Sequence, residues 1–234
     1  MTVVKLLAHT IINPAPMKEL GFTPQTASAD TLAEFAGRNC YQSFGRPNPK
    51  TANWRDYLEH IIEVGHESVL EHGSASFYVE ASRSVLTELT RHRHLSFSVL
   101  SQRYVDPRGL DRQFHVPPAV WDLPDGLRQD ASHFLSRAWD DAAGYYDRLV
   151  TIFGEAGLPR KQAREAARAV LPNMTNSPMV VSGNHRAWRY VLRQRWHVAA
   201  DAEIRELAGM LLKTLRGIAP GTYQDMPFEP FGDR

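Results

Sequence analysis

Residues 74–94 read SASFYVEASRSVLTELTRHRH, and the hydrophobic period changes within this stretch. In the first part, Ala75, Phe77 and Val79 alternate with more polar residues, which predicts a strand with one apolar face. In the second part, apolar residues return at helical spacing and predict an amphipathic helix over residues 82–94. Further along, NSPMVVSG predicts another strand, and NHRAWRYVLRQRWH after it predicts a basic helix. These patterns predict an α+β fold.

The remaining segments supply the other elements of this fold. The opening VVKLLAHTII predicts a strand, and helices are predicted from TASADTLAEFAGRNC, KTANWRDYLEHIIEVG, RKQAREAARAVLP and DAEIRELAGMLLKTLRGIA. The sequence has no repeat, low-complexity tract or linker, so we predict one domain over residues 1–234, with a central sheet flanked by long helices and an irregular tail from about residue 220. A long amphipathic helix is predicted from about residue 127 to residue 153, with an apolar face that includes Phe134, Leu135, Ala138, Ala142, Tyr145, Leu149 and Phe153.

Composition narrows the functional classes. The 27 Lys and Arg residues nearly balance the 26 Asp and Glu residues, and the net charge of +1 gives no overall electrostatic footprint for nucleic acid. No apolar run approaches the ~18 residues of a membrane span, and the short N-terminal apolar run predicts a strand rather than a signal peptide. Cys40 is the single cysteine, so no intramolecular disulfide can form, and a cytoplasmic location is predicted. As a lone cysteine, Cys40 is interpreted as a small core residue rather than a nucleophile.

The segment GHESVLEHGS carries two histidines but does not predict a metal site. His66 and His72 are six residues apart, whereas a zinc-binding helix needs histidines four apart on one face. The other histidines are scattered without the spacing of metal ligands. We therefore predict no metal.

Arginines are concentrated in residues 91–103, which read RHRHLSFSVLSQR. They could form a solvated helix surface, where Glu88 would pair with Arg91 for a few tenths of a kcal/mol. Apolar residues share the preceding helix with the charges, however, and serines and a glutamine follow. Guanidinium groups beside hydroxyl donors favour binding of a phosphate or an anionic ring, because guanidinium binds such groups in a bidentate manner.

Four segments in order resemble the flavin-dependent thymidylate synthases. They are GHESVLEH, RHR followed after seven residues by Ser101-Gln-Arg-Tyr, AREAARAVLP, and GNHRAWRYVLRQR. The resemblance runs from about residue 3 to residue 217. It implies the fold of that family and a homotetramer with active sites where subunits meet. It also implies FAD as cofactor, with NADPH and methylenetetrahydrofolate as cosubstrates, for methylation of a uridine nucleotide at C5.

The resemblance also implies roles for individual residues. The implied FAD contacts are His66, Ser68, Arg91, His92, Arg93, Asn184, Arg186 and Tyr190. The implied nucleotide contacts are Arg83, Glu88, Val99, Ser101, Gln102, Arg103, Arg168 and Arg195. Arg195 is the implied catalytic residue, because a cation beside the uracil ring stabilises the negative charge that activates C5. Ser101 is expected to bind rather than to attack, since arginines and not a base adjoin it in the sequence.

The sequence departs from the family pattern at three places. Val99 replaces a usual Glu or Gln, Tyr190 replaces a usual Asn or His, and residues 196–199 replace a small residue followed by Ser-x-His. Val99 leaves room for a ribose 2′-hydroxyl, so we predict UMP, relaxed to dUMP, as the slightly favoured substrate. A standard thymidylate synthase acting on dUMP is the alternative. A nucleic-acid-binding protein and a family member without turnover are the competing classes.

Overall fold

The computed structural model of the chain describes residues 2–46 and 48–232. The strands are β1 (Val3–His9), β2 (Ser74–Ser82), β3 (Ser96–Val99) and β4 (Asn176–Asn184). The α-helices are α1 (Pro14–Glu19), α2 (Ala29–Cys40), α3 (Trp54–Glu63), α4 (Arg83–Leu89), α5 (Asp125–Glu155), α6 (Arg160–Ala167), α7 (His185–Arg195) and α8 (Ala202–Ile218). The predicted α+β class is confirmed.

The four strands form one antiparallel sheet in the order β1-β2-β4-β3. Two contacts show the register of β2 against β4. Their residue numbers increase along one strand and decrease along the other, as in an antiparallel pair. The hydroxyls of Ser76 and Ser182 lie 2.7 Å apart, and the Arg83 amide donates to the Thr175 carbonyl at 3.0 Å. The β2 pattern predicted from sequence is confirmed, since its alternate residues Ala75, Phe77 and Val79 are buried.

Internal packing divides the described chain into two compact units. The first unit contains residues 2–3, 79–91 and 98–179, and the second contains residues 4–46, 48–78, 92–97 and 180–232. In the first unit α5 packs on α6. In the second, α2 packs on α3, and α7 packs on both α8 and the 3₁₀ turn Glu67–Glu71. The single domain over residues 1–234 remains a prediction, and residues 1, 47, 233 and 234 lie outside the described chain.

The helix predicted over residues 82–94 is shorter than expected. Ser82 caps α4 by accepting from the Val85 amide at 3.2 Å, and the helix ends at Leu89. The following residues form a turn in which His92 and Leu95 are buried and Arg91 is exposed. The chain leaves the helix after Leu89 although the buried residues Leu89, His92 and Leu95 keep a spacing of three, so burial alone does not show where α4 ends. The turn leads into β3, a strand that the sequence patterns did not predict.

The apolar face predicted for the long helix is only partly buried. Phe134 and Tyr145 of α5 are 71% and 65% exposed, whereas Trp139 and Tyr146 are buried. Trp139 stacks on Phe114 at 5.6 Å, and its indole N–H donates to a glutamine side chain in the same unit. Neighbouring residues on a helix point about 100° apart, so burial of Tyr146 carries Tyr145 outward.

The chain after α8 is irregular as predicted up to residue 232, but it is well packed. Gly221, Thr222 and Tyr223 are buried. The carboxylate of Asp30 accepts from the Gly221 amide at 2.7 Å and from the Thr222 amide at 3.0 Å. Within residues 2–46 and 48–232, no helix combines the length and the apolar character that a membrane crossing needs.

Candidate active site

The residues singled out in the sequence fall into two groups, one in each unit. The predicted FAD contacts lie in the second unit, apart from Arg91, which ends a segment of the first. The predicted nucleotide contacts lie in the first unit, apart from Arg195. Each group is described within its own unit.

In the second unit, helix α7 carries Arg186, Tyr190 and Arg195, and Asn184 precedes it. Asn184 caps the helix by accepting from the Ala187 amide at 2.8 Å, so the side chain of this predicted contact is partly engaged in helix capping. Arg186 follows in the first turn and forms an ion pair with Glu71. Tyr190 is 54% exposed. Arg195 is the last residue of the helix.

His92 brings the end of α7 together with the turn that follows α4. Nε2 of His92 accepts a hydrogen bond from Nε of Arg195 at 3.1 Å. The Tyr190 ring meets the imidazole edge-to-face at 5.7 Å. Burial and the neighbouring Arg195 charge lower the pKa of His92 to about 4. The ring is therefore neutral near pH 7 and, because Nε2 accepts, carries its proton on Nδ1.

The buried Nδ1 of His92 has no hydrogen-bond partner among the described residues. A buried N–H donor without an acceptor is unfavourable by about 1–3 kcal/mol, unless a ligand supplies the acceptor. The exposed Tyr190 ring beside it offers a flat apolar surface. Together the two side chains fit a planar heterocycle that carries hydrogen-bond acceptors, as an isoalloxazine ring does.

The 3₁₀ turn Glu67–Glu71 is fixed to α7 by Glu67, which no sequence motif indicated as a site residue. Glu67 Oε1 accepts from Nε of Arg189 at 3.3 Å and from Nη2 of Arg193 at 2.6 Å. Its neighbours His66 and Ser68, both predicted FAD contacts, are exposed on this turn. The ion pairs thus place the turn that bears two predicted contacts against the helix that carries Arg186 and Tyr190.

Arg189 itself is fully buried and was also missed as a site-forming residue. Its two Nη groups donate to the two carboxylate oxygens of Asp225, each at 2.7 Å. A buried arginine requires carboxylate partners, and in the sequence Arg189 lies among the apolar residues of α7. That signal predicts a buried ion pair, but it does not identify Glu67 or Asp225 as the partner.

In the first unit, two predicted phosphate ligands lie close enough to influence each other. Arg83 begins α4 and Arg168 follows α6. Burial and the Arg168 charge lower the pKa of Arg83. Two guanidinium groups that repel each other at a partly buried position form a favourable site for a dianion such as a phosphate.

The segment that follows β3 lies against α6. The Tyr104 carbonyl accepts from Nη1 of Arg164 at 2.5 Å, and Arg103 lies 3.8 Å from Glu165. Gln102 is 4% exposed, and its buried Nε2 has no hydrogen-bond partner among the described residues. This amide is a second polar group that is available to a bound ligand.

The remaining members of the nucleotide group lie beside these residues along the chain. Val99 is the last residue of β3, and Ser101 follows it, both half-buried. Glu88 lies in the last turn of α4 and is also half-buried. Arg93, the last predicted FAD contact, is exposed in the turn after α4. No contact of Val99, Ser101 or Arg93 with another predicted site residue is evident among the described residues.

The structure also bears on Cys40 and on a possible metal site. Cys40 is exposed at the end of α2, where its thiol donates to the Ala36 carbonyl at 3.4 Å. The interpretation of Cys40 as a core residue is therefore wrong, because the last turn of α2 turns it toward solvent. The described residues contain no group of three or more histidine, cysteine, aspartate or glutamate side chains arranged to hold a metal ion.

Comparison with known proteins identifies the relatives of this chain. The sequence profile of the family described as thymidylate synthase complementing protein matches residues 23–221. A probable flavin-dependent thymidylate synthase of Mycobacterium phage D29 is 64% identical over 231 residues, which cover 97% of each chain. Another from Mycobacterium phage L5 is 60% identical over 97% of this chain and 98% of its own. A flavin-dependent thymidylate synthase of Mycobacterium tuberculosis is 46% identical over 98% of this chain and 92% of its own.

Proposed function

Since the chain belongs to the thymidylate synthase complementing protein family, as its four motifs predicted, we propose that it methylates dUMP at C5 to give dTMP. The proposed cofactor is FAD, the one-carbon donor is methylenetetrahydrofolate and the reductant is NADPH. The names of relatives up to 64% identical over nearly the whole chain support this reaction. They also make the deoxynucleotide a better-supported substrate than the UMP preference predicted from Val99.

The observation that carries the proposal is the arrangement of His92, Tyr190 and Arg195. The buried Nδ1–H of His92 is a donor for an acceptor atom of the flavin ring, and the exposed Tyr190 ring is a surface for stacking. His66, Ser68, Arg91, Arg93, Asn184 and Arg186 are the other proposed FAD contacts. When bound, FAD supplies the redox chemistry of the reductive methylation.

Arg195 is the proposed catalytic residue. Its guanidinium, held at Nε by His92, would lie beside the uracil ring and stabilise negative charge on the ring oxygen and N3. This electrostatic stabilisation increases the electron density at C5, the atom that accepts the one-carbon unit. Removal of one such charge-stabilising donor typically lowers kcat by about 10²–10³.

The other proposed nucleotide contacts belong to the first unit. Arg83 and Arg168 bind the phosphate, because burial and the Arg168 charge lower the pKa of Arg83 and a dianion offsets both effects. The buried Gln102 amide gains an acceptor from the nucleotide. Ser101, Arg103 and Glu88 are the remaining proposed contacts, with Ser101 as a binding group.

The proposed assembly is a homotetramer with active sites at subunit interfaces. Helix α5 supports it, because four of its large apolar side chains are more than two-fifths exposed in the single chain: Leu127, Phe134, Tyr145 and Ile152. A run of exposed apolar side chains along one helix is typical of a surface that a partner covers. The proposed compartment is the cytoplasm, where folate, NADPH and nucleotides are available.

UMP is the second candidate substrate, and Val99 is the observation that favours it. Val99 is half-buried at the end of β3, and a branched aliphatic side chain there offers no hydrogen bond that would discriminate against a ribose. A pocket without such a group rejects an added hydroxyl only weakly, by about 10² at most. We expect Val99→Gln to raise the dUMP/UMP ratio of kcat/KM. An unchanged dUMP/UMP ratio would show that Val99 does not determine the sugar preference.

The reaction is tested by release of tritium from dUMP and UMP labelled at C5, in parallel reactions with FAD, NADPH and methylenetetrahydrofolate. Faster release from dUMP supports the proposed reaction, and faster release from UMP identifies a ribonucleotide methylase. No release from either nucleotide, in a protein that binds FAD, would refute the reaction. Strong, steeply salt-dependent binding to oligonucleotides by a colourless protein would favour the nucleic-acid-binding class instead.

A further inference from the structure

The segment that follows Arg195 is paired with the chain near residue 231. The Trp196 carbonyl accepts from the Phe231 amide at 2.9 Å, and the Val198 amide donates to the Phe231 carbonyl at 2.9 Å. His197 and Phe231 form an isolated parallel bridge between these bonds. The exit of α7 is therefore fixed by backbone hydrogen bonds to residues far along the chain.

The Trp196 side chain is held from two further directions. Its indole N–H donates to the Pro227 carbonyl at 3.2 Å. Its six-membered ring lies against Gly209 of α8, where a Cβ would be only 2.6 Å from Cζ3. Arg205, one turn earlier on α8, donates to the Val198 carbonyl at 2.7 Å. Gly209 is therefore required for the close approach of the ring, not for helix formation.

These contacts fix Arg195 at both ends. His92 holds the side chain at Nε, and Trp196 holds the backbone directly behind it. A charge-stabilising group loses much of its effect when it is displaced by about 1 Å, because the benefit depends on its position before the reaction begins. Support of this kind behind a catalytic side chain is what rigid active sites need.

We propose that Trp196 is a positioning residue for Arg195, and that Gly209 and the segment Pro227–Phe231 hold Trp196 in place. The inference rests on the proposed role of Arg195 and deepens it. Trp196 does not touch the reacting atoms in this scheme. It acts by keeping the guanidinium where negative charge develops on the uracil ring.

The test is Gly209→Ala, with Gly217→Ala as the matched control. Both glycines lie in α8, but a Cβ at Gly217 meets no atom within 4 Å. The added methyl at residue 209 pushes the Trp196 ring away. We expect Gly209→Ala to lower kcat about tenfold or more, with normal FAD content and a nucleotide KM within about threefold of wild type. Gly217→Ala should match wild type in all three quantities.

Trp196→Phe shows whether the effect passes through Trp196. Phenylalanine lacks the outer part of the indole ring and the N–H that binds Pro227, so this variant alone should lower kcat at normal KM. Adding Gly209→Ala to Trp196→Phe should then cause little further loss, since the two substitutions act on one contact. Wild-type kcat in Trp196→Phe, or full additivity of the two losses, would overturn the inference. The Trp196→Phe result decides the question if Gly209→Ala does not fold.

A binding measurement separates this inference from the proposed reaction. The uracil ring of 5-fluoro-dUMP is more acidic than that of dUMP, so a well-placed Arg195 should favour it more strongly. Equilibrium dialysis of the FAD-loaded protein should show this preference in wild type and Gly217→Ala, and a smaller one in Gly209→Ala. A wild type that releases no tritium would refute the reaction alone, whereas equal preferences in all three proteins would refute the positioning role.

Discussion

Protonation of His92 should couple the stability of the protein to pH. Its pKa falls from the usual 6.5 to about 4 in the folded chain, so the unfolded chain binds this proton more readily. Stability is therefore complete above about pH 6.5 and is lost as the pH falls toward 4. The shift corresponds to about 3 kcal/mol in total, of which about 2 kcal/mol is lost between pH 7 and pH 5.

The assay compares wild type with His92→Gln. The glutamine amide oxygen can accept from Arg195 in place of Nε2, but it does not titrate. The free energy of unfolding in urea is measured for each protein at pH 7 and at pH 5, at fixed protein and FAD concentrations. The decrease from pH 7 to pH 5 should be smaller in the variant than in wild type by about 2 kcal/mol. Any constant loss of stability in the variant cancels, because each protein is compared with itself.

His185 provides an independent check within the same unit. It is 2% exposed, and burial, with a smaller effect from His9, lowers its pKa to about 4 as well. Its Nδ1 lies 2.8 Å from the Tyr223 hydroxyl, and its buried Nε2 has no hydrogen-bond partner among the described residues. His185→Gln should weaken the pH dependence by a similar amount, and the double variant by about 4 kcal/mol. A His92→Gln variant as pH-dependent as wild type would refute the assigned neutral state.

Three other substitutions test separate parts of the structure. Arg168→Ala should raise the nucleotide KM about tenfold or more without loss of FAD, because a charged hydrogen bond contributes about 1.5–3 kcal/mol; Lys213→Ala, at an exposed position of α8, should leave KM unchanged, and a wild-type KM in Arg168→Ala would refute the phosphate site. Asp30→Ala leaves the Gly221 and Thr222 amides without their acceptor, so the free energy of unfolding in urea should fall by about 3 kcal/mol; a fall below about 1 kcal/mol would mean that water replaces the carboxylate. Cys40→Ser should keep the wild-type rate of tritium release, and loss of turnover would point to thiol chemistry instead.

The parts of the fold that were predicted correctly depend on local patterns. Ala75, Phe77 and Val79 alternate as a strand does, and the structure buries all three. The helix predicted from KTANWRDYLEHIIEVG is α3, and it ends before Gly65, whose φ of +74° is the left-handed conformation typical of a glycine after a helix. In both cases the residues that determine the structure lie within a few positions of each other, so the sequence carries the information directly.

The orientation of α5 could not be predicted in the same way. Its apolar residues occupy more than one stripe, so the sequence does not show which stripe packs within the unit. Trp139 is buried because it contacts Gln113 and Phe114, which lie before the helix in the chain. The stripe that includes Phe134 then remains exposed. Tertiary partners, not the helical period, decide such a case.

The candidate site shows the same limit. The sequence RHRH places four cationic or titratable residues in a row, and only His92 is buried. Its partner Arg195 is 103 positions away, and no local pattern joins the two. Glu67 was passed over although it lies between two predicted contacts, because its role depends on arginines of α7. Motif resemblance indicated the candidate segments, but the hydrogen-bonded pairs required the folded chain.

The strand order also governs how quickly the second unit can fold. Strands β2 and β4 are neighbours, yet their paired residues Ser76 and Ser182 are 106 positions apart. A loop of that length must close before the pair gains any hydrogen bond, and such closure slows folding relative to chains with local contacts. Helices α2 and α3, which are close in sequence, can pair early. Because α7 begins directly where β4 ends, we expect the helix that carries Arg195 to take its final position only after this closure.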